Sequence, residues 1–131
     1  MQFQLNKTER LYKKSEIDHL FKNGKRLHEP PLTVIHALLP EQDNSSRVKF
    51  MVGVPKKKFK KAVDRNLYRR RIREAYRLHR NPLKSCLGDH SHPLGLVFLY
   101  NGNQGNNYKE IEVKIILLLR RLEDIYAEHH R

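Results

Sequence analysis

The segment from Lys56 to Arg80 constrains the fold of this chain more than any other stretch. It reads KKKFKKAVDRNLYRRRIREAYRLHR and holds twelve Lys or Arg against Asp64 and Glu74, so its net charge of +10 supplies most of the chain's +13. Placed at 100° per residue from Ala62, the segment forms an amphipathic helix with an arginine front and an apolar back. We therefore expect one side of the helix to be buried and the other to be offered to a partner.

The two sides of this helix differ in residue type. Arg71 falls in the apolar arc, and Asp64 and Glu74 are spaced so that they could pair with it. Neither acid is expected on the front, which leaves the field of the arginines unmasked. The front carries Asn66, Arg65, Arg69, Arg70, Arg73, Arg77 and Arg80, and the back carries Val63, Leu67, Tyr68, Ile72, Ala75 and Leu78.

Five lysines precede the helix and predict a flexible electrostatic lead-in. Guanidinium groups bind phosphate in a bidentate manner, whereas an ammonium group acts as a mobile point charge. The helix start has no acidic or hydroxyl cap at residues 59 to 62, so either a phosphate or water could satisfy its free amides. Charge of this density indicates a polyanion, with nucleic acid first, and the alternative is a solvated charged face. The lysines are Lys56, Lys57, Lys58, Lys60 and Lys61.

Length and composition predict a single folded domain over residues 1–131. Hydrophobic residues make up 38% of the chain, which is enough for one packed core. The first residues, MQFQLNKTER, lack the apolar stretch of a secretory signal, and no apolar run approaches the length that spans a bilayer. Cys86 is the single cysteine, which excludes an internal disulfide and fits a reducing compartment. We expect a cytoplasmic protein with no membrane partner and no disulfide-linked partner.

Two further helices are predicted from hydrophobic patterning. Residues 15 to 22 indicate a short helix that Ser15 and Asp18 would cap and Gly24 would stop. The closing segment indicates a long amphipathic helix, because its apolar residues step by three and four from Tyr108 to Ile125.

Strands and loops are predicted between these helices. The strands cover residues 32 to 39, 47 to 54 and 94 to 100. The third is apolar on both faces, which is typical of a central or covered strand. Residues 81 to 93 and the segments EQDNSS and NGNQGNN are predicted to form turns and loops.

No active site or metal site is predicted within the protein. His90, His92 and the pair His129 and His130 lack the spaced third and fourth ligands of a structural zinc site. Cys86 has no neighbour that would activate its thiol. Glu16 and Asp18 are better explained by helix capping than by acid–base chemistry.

The pattern KKxFKxAVxRNxxxRRxRE, from Lys57 to Glu74, resembles the signature of the bacterial ribonuclease P protein subunit, whose basic helix carries an Arg-Asn-Arg motif. Arg65 and Asn66 match its first two members. The amino-terminal segment LNKTERLYKKSEIDHLFKNGK is similar to the opening of the same family. The resemblance covers roughly residues 5 to 126, with both blocks in the family's order.

The resemblance implies an α+β fold, a small α/β sandwich in which a mixed sheet carries helices. The implied order is α-β-β-(β)-α-β-α, with an uncommon left-handed crossover as in the ribosomal protein S5 domain 2-like fold. A strand, the basic helix and a strand parallel to the first would form that crossover.

The resemblance also implies the partners and their division of labour. The ribonuclease P RNA, with bound Mg²⁺, would hydrolyse the phosphodiester that joins the 5′ leader to precursor tRNA, and the protein would hold no dedicated metal site and supply no nucleophile. The expected contacts with the catalytic RNA are Lys56, Lys57, Lys58, Lys60, Lys61, Arg65, Asn66, Arg69, Arg70, Arg73 and Arg77. A cleft for the single-stranded leader would be lined by Lys13, Ile17, Phe21, Thr33 and Ile35.

Four positions depart from the family pattern. Leu67 replaces the second arginine of the motif, and Lys60 stands where glycine is usual. Ile17 and Ile35 stand where aromatic residues are common, which leaves Phe21 as the evident stacking platform and shifts the expected leader affinity towards charge.

Two other functions fit a basic helix of this kind. A general module for structured RNA, of the ribosomal type, would use the same arginine front without supporting cleavage. A DNA-binding helix in a major groove would need more side chains that read base edges than this front provides.

Overall fold

The computed structural model describes residues 9–40, 47–87, 92–102 and 105–128, which form a four-stranded sheet and four helices. The helices are α1 (Lys14–Asn23), α2 (Ala62–His79), α3 (Asn81–Leu87) and α4 (Tyr108–Glu128). The strands are β1 (Lys25–Glu29), β2 (Leu32–Leu38), β3 (Val48–Gly53) and β4 (Leu94–Tyr100). Within the described ranges, no helix is both long and apolar enough to cross a membrane.

Several sequence predictions fall outside the described residues. They are the turn EQDNSS, residues 103 and 104 of NGNQGNN, the start of the amino-terminal motif, His90, and the pair His129 and His130.

The sheet is mixed and has the strand order β1-β2-β4-β3. β1 and β2 are antiparallel, as are β2 and β4, whereas β3 and β4 are parallel. The basic helix α2 lies in the connection between the two parallel strands, as the resemblance implies. The α+β fold is therefore confirmed, and so is the central position of the strand over residues 94 to 100.

A third strand does precede the basic helix, but it is β1, which comes before the two predicted strands and not after them as in the implied order, and hydrophobic patterning does not predict it. Its sequence, KRLHE, has one apolar residue, Leu27, so a search for alternating apolar positions passes over it. Pairing fixes it instead: His28 lies opposite Thr33, and Arg26 lies opposite Ile35.

Apolar clusters cover both faces of the sheet. One face packs against α2, α3 and α4, with Phe50 of β3 stacked on Tyr76 of α2 at a ring separation of 4.2 Å. The opposite face packs against α1, where Leu20 meets Ile35 and Val97. Adjacent residues of a strand point to opposite faces, so β2 and β4 carry apolar residues on both faces and contribute to both clusters.

α1 begins one residue earlier than predicted and without the predicted cap. Lys13 occupies the N-cap position and makes no side-chain capping bond, so the capping roles of Ser15 and Asp18 are wrong. Gly24 does end the helix, with a φ of −72° that any residue could adopt. Steric crowding requires glycine at this position, because an added Cβ would lie 2.5 Å from the Leu20 carbonyl oxygen and 2.6 Å from the Ile35 side chain.

α3 corrects the first part of the predicted loop over residues 81 to 93, because residues 81–87 form a helix; residues 88–91 lie outside the described residues. Pro82 lies in the first turn of this helix, where its missing N–H costs nothing. Leu83 and Leu87, four residues apart, are buried against the main cluster. That spacing was the available helical signal, and the proline and the polar neighbours obscured it.

α4 confirms the predicted closing helix. Asn107 caps it by accepting a bond from the Glu110 amide at 2.9 Å, and the Glu110 carboxylate accepts one from the Asn107 amide, also at 2.9 Å. Its apolar stripe is buried at Ile111, Ile115, Leu118 and Leu122.

Candidate nucleic-acid interface

The outer side of α2 carries a row of cations that the fold leaves accessible. Arg70 and Arg73 are exposed together with Asn66, while Arg65 and Arg69 are partly exposed. Among the described residues, none of these four arginines forms an ion pair with a carboxylate; Arg69 instead donates to the Asn66 side-chain oxygen at 3.2 Å. The name arginine front is kept for this accessible part of the predicted front, residues 65, 66, 69, 70 and 73.

α2 is rotated about its axis relative to the prediction. Tyr68, Ile72 and Ala75 are buried as expected, but Val63 is 72% exposed. Tyr76, absent from the predicted back, is fully buried. The buried arc is therefore displaced around the helix axis towards the side that carries Arg65 and Arg80, because α2 packs against both the sheet and α4. Leu78 is exposed for the same reason.

Arg80 was predicted to lie on the exposed front, and that prediction is wrong. It is 2% exposed, and its Nε donates to the Glu9 carboxylate at 2.9 Å while its Nη2 donates to the second oxygen at 3.3 Å. Lys84 Nζ lies 3.7 Å from the same carboxylate. Arg80 thus ties the end of α2 to the amino-terminal segment and does not face solvent.

Arg77 is paired with an acid of its own helix. Its Nε and Nη2 donate to the two carboxylate oxygens of Glu74 at 3.0 and 2.5 Å. These hydrogen bonds hold the pKa of the Glu74 carboxyl below its usual value. The expectation that neither acid reaches the front is wrong for Glu74, and the charge of Arg77 is offset where α2 approaches its end.

Arg71 does not use the predicted acidic partners either. Its Nη1 donates to the Asn106 carbonyl at 2.6 Å, and its guanidinium lies 5.4 Å from the centre of the Tyr68 ring. It therefore fastens the segment before α4 to α2.

The segment Lys56–Lys61, here called the lysine loop, is anchored by the residue at its centre. Phe59 is 2% exposed and packs against Tyr68 and Tyr100, with ring separations of 5.0 and 5.7 Å. Lys58 Nζ donates to the Asn101 carbonyl at 2.7 Å. The flexible lead-in expected from the sequence is thus a loop tied to the domain, and all five of its lysines are exposed.

The amino-terminal turn of α2 lies directly after this loop. Lys61 is the N-cap residue and makes no side-chain capping bond, which confirms that the helix start lacks a cap of its own. The accessible lysines and the positive end of the helix dipole lie together at this point.

A second candidate surface lies between α1 and the sheet. Lys13, Ile17 and Phe21 recur every four residues on one side of the helix region, with Phe21 47% exposed. Leu99 of β4 lies opposite Thr33 of β2, and Gly53 of β3 lies opposite Leu99, so these residues continue the same surface across the sheet.

Two residues predicted to line this cleft are less accessible than expected. Thr33 is 5% exposed, and its hydroxyl bonds to His28 Nδ1 at 2.9 Å and to the Asn101 side-chain amide at 3.3 Å. Ile35 is fully buried beneath α1, so its predicted place on the cleft surface is wrong. It packs with Leu20 and Val97 in the apolar cluster beneath α1.

His28 and Asn101 adjoin Thr33 on this candidate surface and were not predicted from the sequence. His28 belongs to β1, the strand without an apolar pattern, and Asn101 directly follows β4. Both share the face of Thr33, as their hydrogen bonds to its hydroxyl show. Knowledge of the strand register would have identified them, whereas their residue types alone do not.

Comparison with known proteins gives one consistent family. A family model described as Ribonuclease P matches residues 5–123. The ribonuclease P protein component of Porphyromonas gingivalis is 34% identical over 110 residues, which cover 84% of this chain and 80% of that one. The component of Chlorobaculum tepidum is 38% identical over 93 residues, covering 66% and 60%.

Solved structures show the same fold. The RNase P protein from Thermotoga maritima superposes with a TM-score of 0.66 at 20% identity, covering 86% of this chain and 96% of that one. A Staphylococcus aureus RNase P protein gives a TM-score of 0.65 at 17% identity, covering 86% and 94%.

Proposed function

Since the chain belongs to the ribonuclease P protein family, we propose that it binds the catalytic RNA of that enzyme through the arginine front and the lysine loop. The observation that supports this proposal is the set of three arginines on one side of α2, Arg69, Arg70 and Arg73, without a described carboxylate partner. Each phosphate that such a surface neutralises releases condensed counterions, which favours binding to a folded RNA.

The cleft between α1 and the sheet is proposed to hold the 5′ leader of precursor tRNA. Lys13 supplies charge at its edge, and Phe21 offers an exposed ring on which a base can stack. Stacking on an aromatic side chain contributes about 1 to 3 kcal/mol per base. Because Ile17 supplies no aromatic ring, we expect affinity for the leader to rest on Phe21 and on charge.

Catalysis is proposed to reside in the RNA, with Mg²⁺ bound by RNA phosphates. The residues that the structure describes include no group of three His, Cys, Asp or Glu that could hold a metal ion, and the exposed cations of the arginine front would repel one. When bound, Mg²⁺ would stabilise the charge that develops at the scissile phosphate. The protein's own contribution is to retain the leader and to screen the negative charge of the RNA phosphates.

A cleavage assay tests this proposal. The protein is added to a ribonuclease P RNA at low Mg²⁺, with a precursor tRNA as substrate, and we expect faster release of the leader. A variant with Arg69, Arg70 and Arg73 changed to Gln should lose the stimulation, whereas Lys109→Gln on α4, which removes an 83% exposed ammonium group that belongs to neither proposed surface, should keep it.

Failure has a recognisable form. If the protein binds unrelated structured RNAs as tightly as ribonuclease P RNA and gives no stimulation, the general RNA-binding alternative replaces the proposal. One observation favours that alternative: the arginine front is rich in groups that bind phosphate and poor in groups that read bases.

A further inference from the structure

Arg65 contacts the lysine loop through two hydrogen bonds. Its Nη1 donates to the Phe59 carbonyl at 2.7 Å and to the Lys60 carbonyl at 2.9 Å. The two carbonyls belong to consecutive residues, so one guanidinium nitrogen bridges the loop to the first turns of α2. Hydrogen bonds from a charged donor are stronger than those between neutral groups.

Other contacts hold the loop from its remaining sides. The Phe59 amide donates to the Pro55 carbonyl at 3.2 Å, which closes a turn, and the Phe59 ring is buried against Tyr68 and Tyr100. Lys58 Nζ reaches the Asn101 carbonyl. The carboxyl-terminal half of the loop, where Lys60 and Lys61 are exposed, is held by the Arg65 side chain and by main-chain bonds from the Asp64 and Arg65 amides to the Lys61 carbonyl.

The rotation of α2 explains why Arg65 differs from its neighbours on the front. Arg65 lies towards the edge of the buried arc and is partly exposed, whereas Arg73 is exposed and has no described carboxylate partner. Arg73 is thus a matched control, being the same residue type on the same helix without a contact to the loop.

We propose that Arg65 is a positioning residue, which holds the lysine loop in its binding conformation through the Phe59 and Lys60 carbonyls instead of acting chiefly as a phosphate contact. A loop that is ordered before binding loses less conformational entropy on association. Arg65 thereby strengthens RNA binding through the lysines that it arranges.

Substitution by lysine separates position from charge. Arg65→Lys keeps the positive charge, but its side chain is shorter and lacks the planar group that reaches the loop carbonyls. Arg65→Gln removes the charge as well. Arg73→Lys and Arg73→Gln make the same changes at the control position.

Amide hydrogen exchange on the full chain, free of RNA, tests the contact directly. Exchange of the Phe59 amide should accelerate about tenfold or more in both Arg65 variants, because the loop opens more often. It should stay at the wild-type rate in both Arg73 variants. The Ile72 amide, in the buried part of α2, reports opening of the whole domain. Unchanged Phe59 exchange in Arg65→Lys, or equal acceleration at Ile72, would overturn the proposal.

Salt titration of binding to ribonuclease P RNA gives the second readout, and this arm rests on the proposed function. Both Arg65 variants should weaken binding to a similar extent, about threefold to tenfold, without changing the slope of log affinity against log salt. Arg73→Gln should lower the slope by about 0.7 to 0.9, and Arg73→Lys should restore it.

Hydrogen exchange and salt titration together distinguish a failure of the Arg65 inference from a failure of the proposed function. If Arg65→Lys restores the affinity that Arg65→Gln loses, with a matching change in slope, Arg65 is a phosphate contact and the inference fails. If the wild-type protein does not bind ribonuclease P RNA, the proposed function fails, while the exchange arm still decides whether Arg65 holds the loop.

Discussion

Individual arginines of α2 take distinct roles according to their angle around the helix. Arg80 is buried in an ion pair with Glu9, Arg77 is held by Glu74, and Arg71 binds a main-chain carbonyl. Arg70 and Arg73 project into solvent. Orientation relative to the buried arc, and not residue type, decides whether a guanidinium stabilises the fold or is available to a partner.

The buried pair of Glu9 and Arg80 predicts a large loss of stability when one member is removed. Glu9→Gln leaves the Arg80 charge buried without its carboxylate, so we expect the free energy of unfolding to fall by about 3 kcal/mol. Arg73→Gln, at an exposed site, should change it by less than about 0.5 kcal/mol. Urea denaturation measures both; an equal effect in the two variants would contradict the assignment of Arg80 to the interior.

His36 predicts a dependence of stability on pH. Its Nδ1 bonds to the Tyr126 hydroxyl at 2.7 Å, and burial, with Lys25 nearby, lowers its pKa from 6.5 to about 4. The unfolded chain therefore takes up a proton between pH 6.5 and 4 that the folded protein excludes, so stability is complete above pH 6.5 and falls as the pH decreases through this range.

The measurement compares the wild-type protein with His36→Gln. Between pH 7 and pH 5 the wild type should lose up to about 2 kcal/mol of unfolding free energy from this group. The variant lacks the titrating group and should show a correspondingly flatter profile over the same range. Parallel profiles would show that His36 takes up its proton in the folded state.

At the scale of elements, α2 combines a firmly packed side with a cationic one. Changing Arg69, Arg70 and Arg73 together to Gln should lower the salt slope of RNA binding by about 2 to 3, because each lost phosphate contact removes about 0.7 to 0.9. The unfolding free energy should change little, since none of the three is buried. A salt slope equal to that of the wild type would remove the front from the interface.

Hydrophobic patterning predicts the elements whose burial is periodic. It fails where strand pairing or long-range contacts determine whether an element forms or how it is oriented. α4 and β4 follow from their apolar residues, and α2 follows except for its rotation. That rotation depends on the sheet and α4 together, which no local pattern encodes. β1 forms because β2 offers it a partner, and α3 forms because Leu83 and Leu87 find an apolar surface.

At the scale of the whole molecule, the two candidate RNA surfaces lie on opposite faces of one sheet. α2 covers one face and α1 covers the other. They meet at the end of β4, where Asn101 accepts a bond from Lys58 of the loop and donates one to Thr33 of the cleft. The arginine front was predictable from composition and spacing, whereas the cleft depends on strand register and was predicted only in part.

β4, one of the two inner strands of the sheet, is also the last strand of the sheet to be synthesised. Leu96 and Phe98 of β4 belong to one apolar cluster and Val97 belongs to the other, so neither cluster can close until residue 100 has left the ribosome. Pairing that joins strands so distant in sequence is slow. The cationic helix ends at His79, some twenty residues before the end of β4, so all its arginines are synthesised before the strand that completes both clusters.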